Sequence, residues 1–358
     1  MNLKKVAILG VTTLSAFAMT ACSNKTATNS NGKKNKGTVA LITDGNGVND
    51  HSFNESAWNG FLAYGKEHNL TKGSNGYQYF QTSGASEFVP NLEQAAKNYD
   101  TIYGIGYQLK DAVSTVAKKY PKKNFAIVDD VIKGQKNVVS ANFLSNQASY
   151  LAGVAAAYET KTNVVGFIGG AHGDIVDLFD AGFTKGVNDT AKKLGKKITI
   201  LNQYIGDFNS SDKAKSIAQT MYAKKADIVM HAAGGAGDGL FEEAKAINQT
   251  KKASDKVWVI GVDTDQSNLG NYKSKKDGKK SNFVLTSVIT GVNVAVKDIA
   301  DRAYEGKFPG GKNLIYGLDT NGVSITKGQI SSKAWKASRT ARTAIIDGKI
   351  SVPKHPSK

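Results

Sequence analysis

Five aspartates stand where apolar runs end. Asp44 follows Leu41-Ile42-Thr43, Asp129 and Asp130 follow Ala126-Ile127-Val128, and Asp263 and Asp265 lie in Gly261-Val262-Asp263-Thr264-Asp265. Two aromatic residues come soon after such runs: Phe53 after the first, and Phe208 after the run that closes near Ile205. Carboxylate oxygens accept hydroxyl hydrogens and aromatic faces cover a planar ring, so the set suits a neutral, hydroxylated, ring-bearing ligand. A phosphate would be repelled by the same carboxylates. Taken singly, each Asp also fits a helix cap or a loop turn. As a set they point to one shared site.

Two other patterns bear on chemistry. Ile228-Val229-Met230-His231 runs into Ala232-Ala233-Gly234-Gly235-Ala236-Gly237-Asp238-Gly239. This run lacks both the G-x-G-x-x-G spacing of a dinucleotide site and the Gly-Lys-Ser/Thr of a P-loop. A tight turn, or backbone amides close to a neutral ligand, is the better reading. Asp263-x-Asp265 raises a hydrolase alternative, because paired carboxylates can hold Ca²⁺ and activate water. Such an enzyme needs a dense Asp cluster on an early strand, and Asp44 stands largely alone there. The five histidines are spread along the chain without metal-ligand spacing. No catalytic residue, metal site or cofactor is therefore expected.

The elements that position these residues alternate. Strands are predicted at 39–44, 77–82, 101–107, 125–129 and 138–143, then at 164–169, 198–205, 228–232 and 257–263, with a late strand–helix unit at 283–288 and 292–304. Ser52-Phe53-Asn54-Glu55 reads as a capping box, with Ser52 as N-cap and Glu55 at its third helical position. Phe53, Ala57, Trp58, Phe61 and Leu62 then recur at helical spacing. Pro90 fits the first turn of a helix over 89–99, and Pro121 ends one over 109–120. Near-continuous apolar strands alternating with helices imply parallel sheets covered on both faces. The element count favours two doubly wound, Rossmann-like α/β lobes facing each other, with the carboxyl ends of both strand sets at one cleft. The expected N-terminal lobe is 38–143 with a return segment at about 286–308. The expected C-terminal lobe is 144–285 with about 309–325, and 326–358 forms a C-terminal helix and tail.

Cys22 is the chain's only cysteine. It excludes a disulfide scaffold and a thiolate metal site. Lys4 and Lys5 precede the apolar stretch Val6 to Met19, and Thr20-Ala21 precedes Cys22. The stretch is too short for a span of roughly 20 residues and has the layout of a signal peptide, 1–21. Met19-Thr20-Ala21-Cys22 resembles a bacterial lipobox, which implies a diacylglyceryl group on Cys22; two acyl chains suffice for stable anchoring. Residues 22–37, rich in Asn, Lys, Ser and Thr, read as a flexible tether. The net charge is +17, but the lysines are scattered as pairs without an arginine-rich stripe. A surface attracted to an anionic membrane or wall fits better than a nucleic-acid partner. Adhesion through that charge is a further alternative.

Longer motifs carry a family resemblance. Thr43-Asp44, Asp50-His51-Ser52-Phe53-Asn54-Glu55-Ser56-Ala57-Trp58, Tyr150-Leu151-Ala152-Gly153, Gly166-Phe167-Ile168-Gly169-Gly170, Ala181-Gly182-Phe183, Ala232-Ala233-Gly234-Gly235, Gly261-Val262-Asp263-Thr264-Asp265-Gln266 and Asp347-Gly348-Lys349-Ile350 together resemble the basic membrane protein family, the PnrA-like substrate-binding lipoproteins. The similarity runs from about residue 38 to 353. It implies a type I periplasmic-binding-protein fold with a hinge and capture of nucleosides, purine and possibly pyrimidine, for an ABC permease. It also implies an extracytoplasmic, lipid-anchored, monomeric receptor. By the same resemblance Phe53 is a stacking face, Asp44, Asn54 and Asp129 contact the base, and Asp263 accepts ribose hydroxyls. Gly235 and Gly237 offer backbone groups, and Phe208 or His231 supplies the second stacking face. One departure is that Thr290 stands near the ribose where family members often carry Lys. The same fold with a sugar or signalling ligand stays open, as does a nucleoside hydrolase built on Asp263 and Asp265.

Overall fold

A computed structural model describes residues 36–356. The signal peptide, Cys22 and nearly all of the expected tether lie outside the described residues.

The first elements are β1 (Val39–Ile42), α1 (Phe53–Glu67), β2 (Tyr77–Phe80), α2 (Phe88–Asn98), β3 (Thr101–Ile105), α3 (Lys110–Lys119), β4 (Asn124–Val128) and β5 (Val138–Phe143). α4 (Ser145–Glu159), β6 (Val164–Gly169), α5 (Val176–Leu194), β7 (Thr199–Tyr204), α6 (Ser211–Ala223), β8 (Ile228–Ala232), α7 (Asp238–Thr250) and β9 (Trp258–Asp263) follow. The chain ends with β10 (Asn271–Lys273), β11 (Lys280–Asn282), β12 (Val284–Thr290), α8 (Val292–Tyr304), β13 (Asn313–Tyr316), β14 (Val323–Ile325) and α9 (Ser332–Ile346). Two six-stranded sheets result, ordered β13-β5-β4-β3-β1-β2 and β14-β12-β9-β8-β6-β7, beside a small β10–β11 ribbon. Every pairing in the first sheet is parallel; in the second only β14 is antiparallel. Strands β1, β3 and β8 are buried along their whole length, as expected for sheets covered on both faces.

Two expected lobe assignments are corrected. Residues 286–290, expected to return to the first lobe, belong to β12 and pair with β9 in the second sheet. Conversely β13, expected in the second lobe, pairs with β5 in the first. The apolar pattern that makes a strand does not say which of two similar sheets receives it. The chain thus crosses between sheets three times, and the crossings lie side by side. Leu144 N–H donates to Tyr316 O at 2.8 Å, and Gly291 N–H to Gly322 O at 2.9 Å.

The capping box also departs from expectation. Ser52 precedes α1, but its side chain makes no cap bond. The cap is Asp50, whose carboxylate accepts the backbone N–H groups of Ser52, Asn54 and Glu55 at 2.9–3.0 Å. The negative charge also suits a helix N-terminus. Ser52 Oγ is thereby free to donate elsewhere, to Asp263 Oδ2 at 2.5 Å.

Candidate ligand-binding site

The carboxyl ends of both sheets meet at a cavity with about 650 Å³ of empty space. Its walls come from the ends of β1 (Asp44), β3 (Gly106, Tyr107), β4 (Asp129), β8 (Ala232, Gly234), β9 (Val262, Asp263) and β12 (Thr290), together with Phe53 and Asn54 of α1, Ser145 of α4, and Ile175, Val176 and Phe179 at the start of α5. Asn46, Asp50 and Phe208 complete the lining. Of the residues singled out in the sequence, Asp44, Phe53, Asn54, Asp129, Phe208 and Asp263 come together here. Phe53 belongs to the first lobe and Phe208 to the second, so each lobe brings an aromatic ring to the cavity. The Phe208 ring lies so close to Gly170 that a Cβ there would sit 2.3 Å from Cε1.

His231, Gly235 and Gly237 are placed otherwise. His231 has no exposed surface and does not line the cavity, so it presents no stacking face. It packs against Gly237, where a Cβ would lie 2.1 Å from Nδ1; that glycine makes room for an imidazole rather than for a ligand. Gly235 faces Asn46 and the Phe208 carbonyl. Its neighbour Gly234 is the glycine in the wall. Asp265 turns away as well: it is exposed and its carboxylate accepts Ser267 N–H at 3.0 Å, so Asp263 and Asp265 do not converge as a metal-holding pair.

The cavity is acidic, and no lysine, arginine or histidine is among its lining residues. Burial pushes the Asp129 carboxyl up to about 8, helped by the nearby charges of Asp263 and Asp44. Burial likewise raises Asp44 to about 6, against hydrogen bonds from Asn54 and Asn46. Asp263 is raised to about 6 by burial, eased by Ser52 and by the Thr290 hydroxyl beside it, which approaches without completing a hydrogen bond. Lys110 is close by but is engaged by Asp130 at 2.8 Å. Neutral ligands are favoured in such a site, and a phosphate would meet carboxylates with no compensating cation.

Asn54 is held in a single orientation. Its Nδ2 donates to Asp44 Oδ1 and to Asp50 Oδ2, both at 2.9 Å. A carboxylate cannot donate back, so the amide cannot flip. Oδ1 is left buried with no partner. Asn54 thus brings a fixed amide and Asp129 a protonated carboxyl to the cavity wall, polar groups that suit the edge of a flat polar ring.

Both Asp129 and Asp263 have left-handed backbone, with φ 67° and 63°. Asp129 follows β4 and Asp263 is the last residue of β9, the strands third from the β13 and β14 edges of their sheets. Strain of this kind concentrates at ligand sites. The strand-end rule that found these two also covers Tyr107 and Ser145, which were not singled out. Ile175, Val176 and Phe179 carried no separate signal, because apolar residues opening an amphipathic helix read as core.

The profile of the family described as "ABC transporter substrate-binding protein PnrA-like" (Bmp) matches residues 36–356. The chain belongs to this PnrA-like family. It is 48% identical over 355 residues, covering 99% of both chains, to the "ABC transporter nucleoside-binding protein BmpA" of Lactococcus lactis subsp. cremoris. It is 47% identical to the "CD4+ T-cell-stimulating antigen" of Listeria monocytogenes, over 89% of this chain and 88% of that one. Among solved structures, a solute-binding protein of an ABC transporter system from Aeropyrum pernix K1 superposes with a TM-score of 0.74 at 21% identity, over 88% and 93% of the two chains. That likeness shows the fold, a periplasmic-binding-protein architecture. PnrA-like proteins are substrate-binding components of ABC transporters.

Proposed function

We propose that this PnrA-like protein captures a nucleoside in the interlobe cavity, without transforming it, and delivers it to an ABC permease. The observation that carries the reading is the lining itself: one aromatic ring from each lobe, three raised-pKa carboxyls, one locked amide acceptor and no cation. Phe53 and Phe208 cover the two faces of the base, Asn54, Asp44 and Asp129 meet its polar edge, and Asp263 accepts ribose hydroxyls. Thr290 contributes a neutral hydroxyl beside Asp263. The similarity to a nucleoside-binding relative supports the same ligand class. The divergence of Asp263 and Asp265 supports binding over metal-assisted hydrolysis.

A diacylglyceryl group on Cys22 would hold this receptor, as a monomer, at the extracytoplasmic face of the membrane. No helix among the described residues is long and apolar enough to cross a membrane. Mass spectrometry of small molecules released on denaturing the purified protein tests the ligand class. A nucleoside mass is expected. Release of a hexose alone, with a melting temperature unmoved by nucleosides, would overturn the reading in favour of sugar capture.

A further inference from the structure

Behind Asp263 lies a buried polar cluster that does not touch the cavity. Gln266 is 2% exposed and absent from the cavity wall. Its Oε1 accepts the Val262 N–H at 2.9 Å and meets His231 Nε2 at 3.0 Å. Its Nε2 donates to the His51 carbonyl at 3.0 Å. A backbone N–H on one side and a carbonyl on the other set the amide's orientation, so His231 must carry its proton on Nε2. Burial lowers the His231 pKa to about 4, which keeps the ring neutral in that role.

This cluster joins the lobes. His51 lies in the loop between β1 and α1 of the first lobe, with a left-handed φ of 54°. Its carbonyl also accepts Thr264 Oγ1 at 2.9 Å. The next residue, Ser52, donates to Asp263 Oδ2. On the other side, Thr264 N–H reaches back to Val262 O at 2.7 Å around the positive φ of Asp263, a γ-turn pattern that is intrinsically strained. Gln266 therefore holds the residue before this turn and the opposite lobe with the two ends of one amide. Ser287 Oγ accepts its backbone N–H at 3.1 Å and anchors it from β12.

We propose that Gln266 is a positioning residue for ligand retention: it ties the Asp263 turn to the His51 carbonyl, and with Thr264 it sets how slowly the lobes part. The proposal rests on the reading of the cavity as a nucleoside site. Opening must break both hydrogen bonds to His51 O, so their loss accelerates release, whereas association, limited by encounter, changes little.

Stopped-flow measurement of nucleoside dissociation and association tests this in the full chain. Gln266→Glu keeps the acceptor for His231 and Val262 but turns an oxygen toward the His51 carbonyl. Thr264→Val removes one donor at a partly exposed position and keeps the side chain's shape. Each should raise the dissociation rate roughly 2- to 10-fold, the span of one net hydrogen bond, with the association rate nearly constant. The double variant should exceed the product of the two, because only then is the carbonyl left unpaired. Unchanged dissociation in Thr264→Val and in folded Gln266→Glu would overturn the proposal, and if Gln266→Glu fails to fold, Thr264→Val decides it. A wild-type chain that binds no nucleoside would instead refute the ligand reading. Small-angle scattering then still judges the tie: both variants should show a larger radius of gyration than wild type, and equal radii would overturn it.

Discussion

Asn54 makes the sharpest demand on a ligand. Its Nδ2 is committed to Asp44 and Asp50, and Oδ1 is buried and unpaired. A ligand that brings an N–H or O–H to that oxygen gives it the partner it lacks. If the base edge faces Asn54, the exocyclic amine of adenosine supplies the donor. Purine riboside, which has hydrogen at the same ring carbon, supplies none while keeping ring, sugar and shape. An orphaned buried acceptor costs roughly 1–3 kcal/mol, which is about a 5- to 150-fold loss in affinity. Titration calorimetry of both ligands at one pH and salt concentration reads this directly. Equal affinities would refute the assignment and show that a ribose hydroxyl or water meets Asn54 instead.

The Asp129 carboxyl gives a pH signature. Its folded pKa of about 8 lies above the unfolded value of roughly 3.9, so the folded chain holds an extra proton between those values. The stability this contributes is complete below the unfolded pKa and is lost as pH rises through the folded one. Asp129→Asn should therefore gain melting temperature relative to wild type between pH 5 and pH 9, and a difference constant with pH would contradict the account. Phe53→Ala and Phe208→Ala should each weaken nucleoside binding by roughly 1–3 kcal/mol, the scale of one base–aromatic stack, measured by calorimetry; an effect from only one ring would mean that the base is covered on a single face. Gly186→Ala tests the crossing of α5 on α4, where a Cβ would stand 2.1 Å from Tyr150 O. Such overpacking costs about 1–3 kcal/mol, and thermal melts should show a drop of roughly 2–12 °C.

Much of the fold was legible because buried parallel strands advertise themselves as apolar runs, and the aspartates that end β4 and β9 mark where those runs reach the cleft. Sheet membership was not legible. β12 and β13 each lie in the sheet opposite to the one expected, since a strand's own pattern is silent about its neighbours. Ser52 looked like a helix cap because Ser and Glu three apart usually form one, yet Asp50 two residues earlier reaches the same N–H groups with a full charge. His231 looked like a cleft residue because it nearly ends a strand. Gly237 opens the space that buries it, and that pairing exists only in three dimensions. The apolar wall of Ile175, Val176 and Phe179 was hidden for the opposite reason: a helix start that faces a ligand and one that faces a core use the same side chains.

On the proposed function, the acid-lined cavity takes an uncharged nucleoside. Titration calorimetry of ligand-free protein with adenosine, guanosine, uridine and cytidine, each beside its 5′-monophosphate, tests it most directly. One-to-one binding of at least one nucleoside is expected, with a dissociation constant near or below about 1 μM, equivalent to roughly 8 kcal/mol, and no measurable binding of the monophosphates. No heat with any nucleoside, or monophosphates bound as tightly as nucleosides, would contradict it.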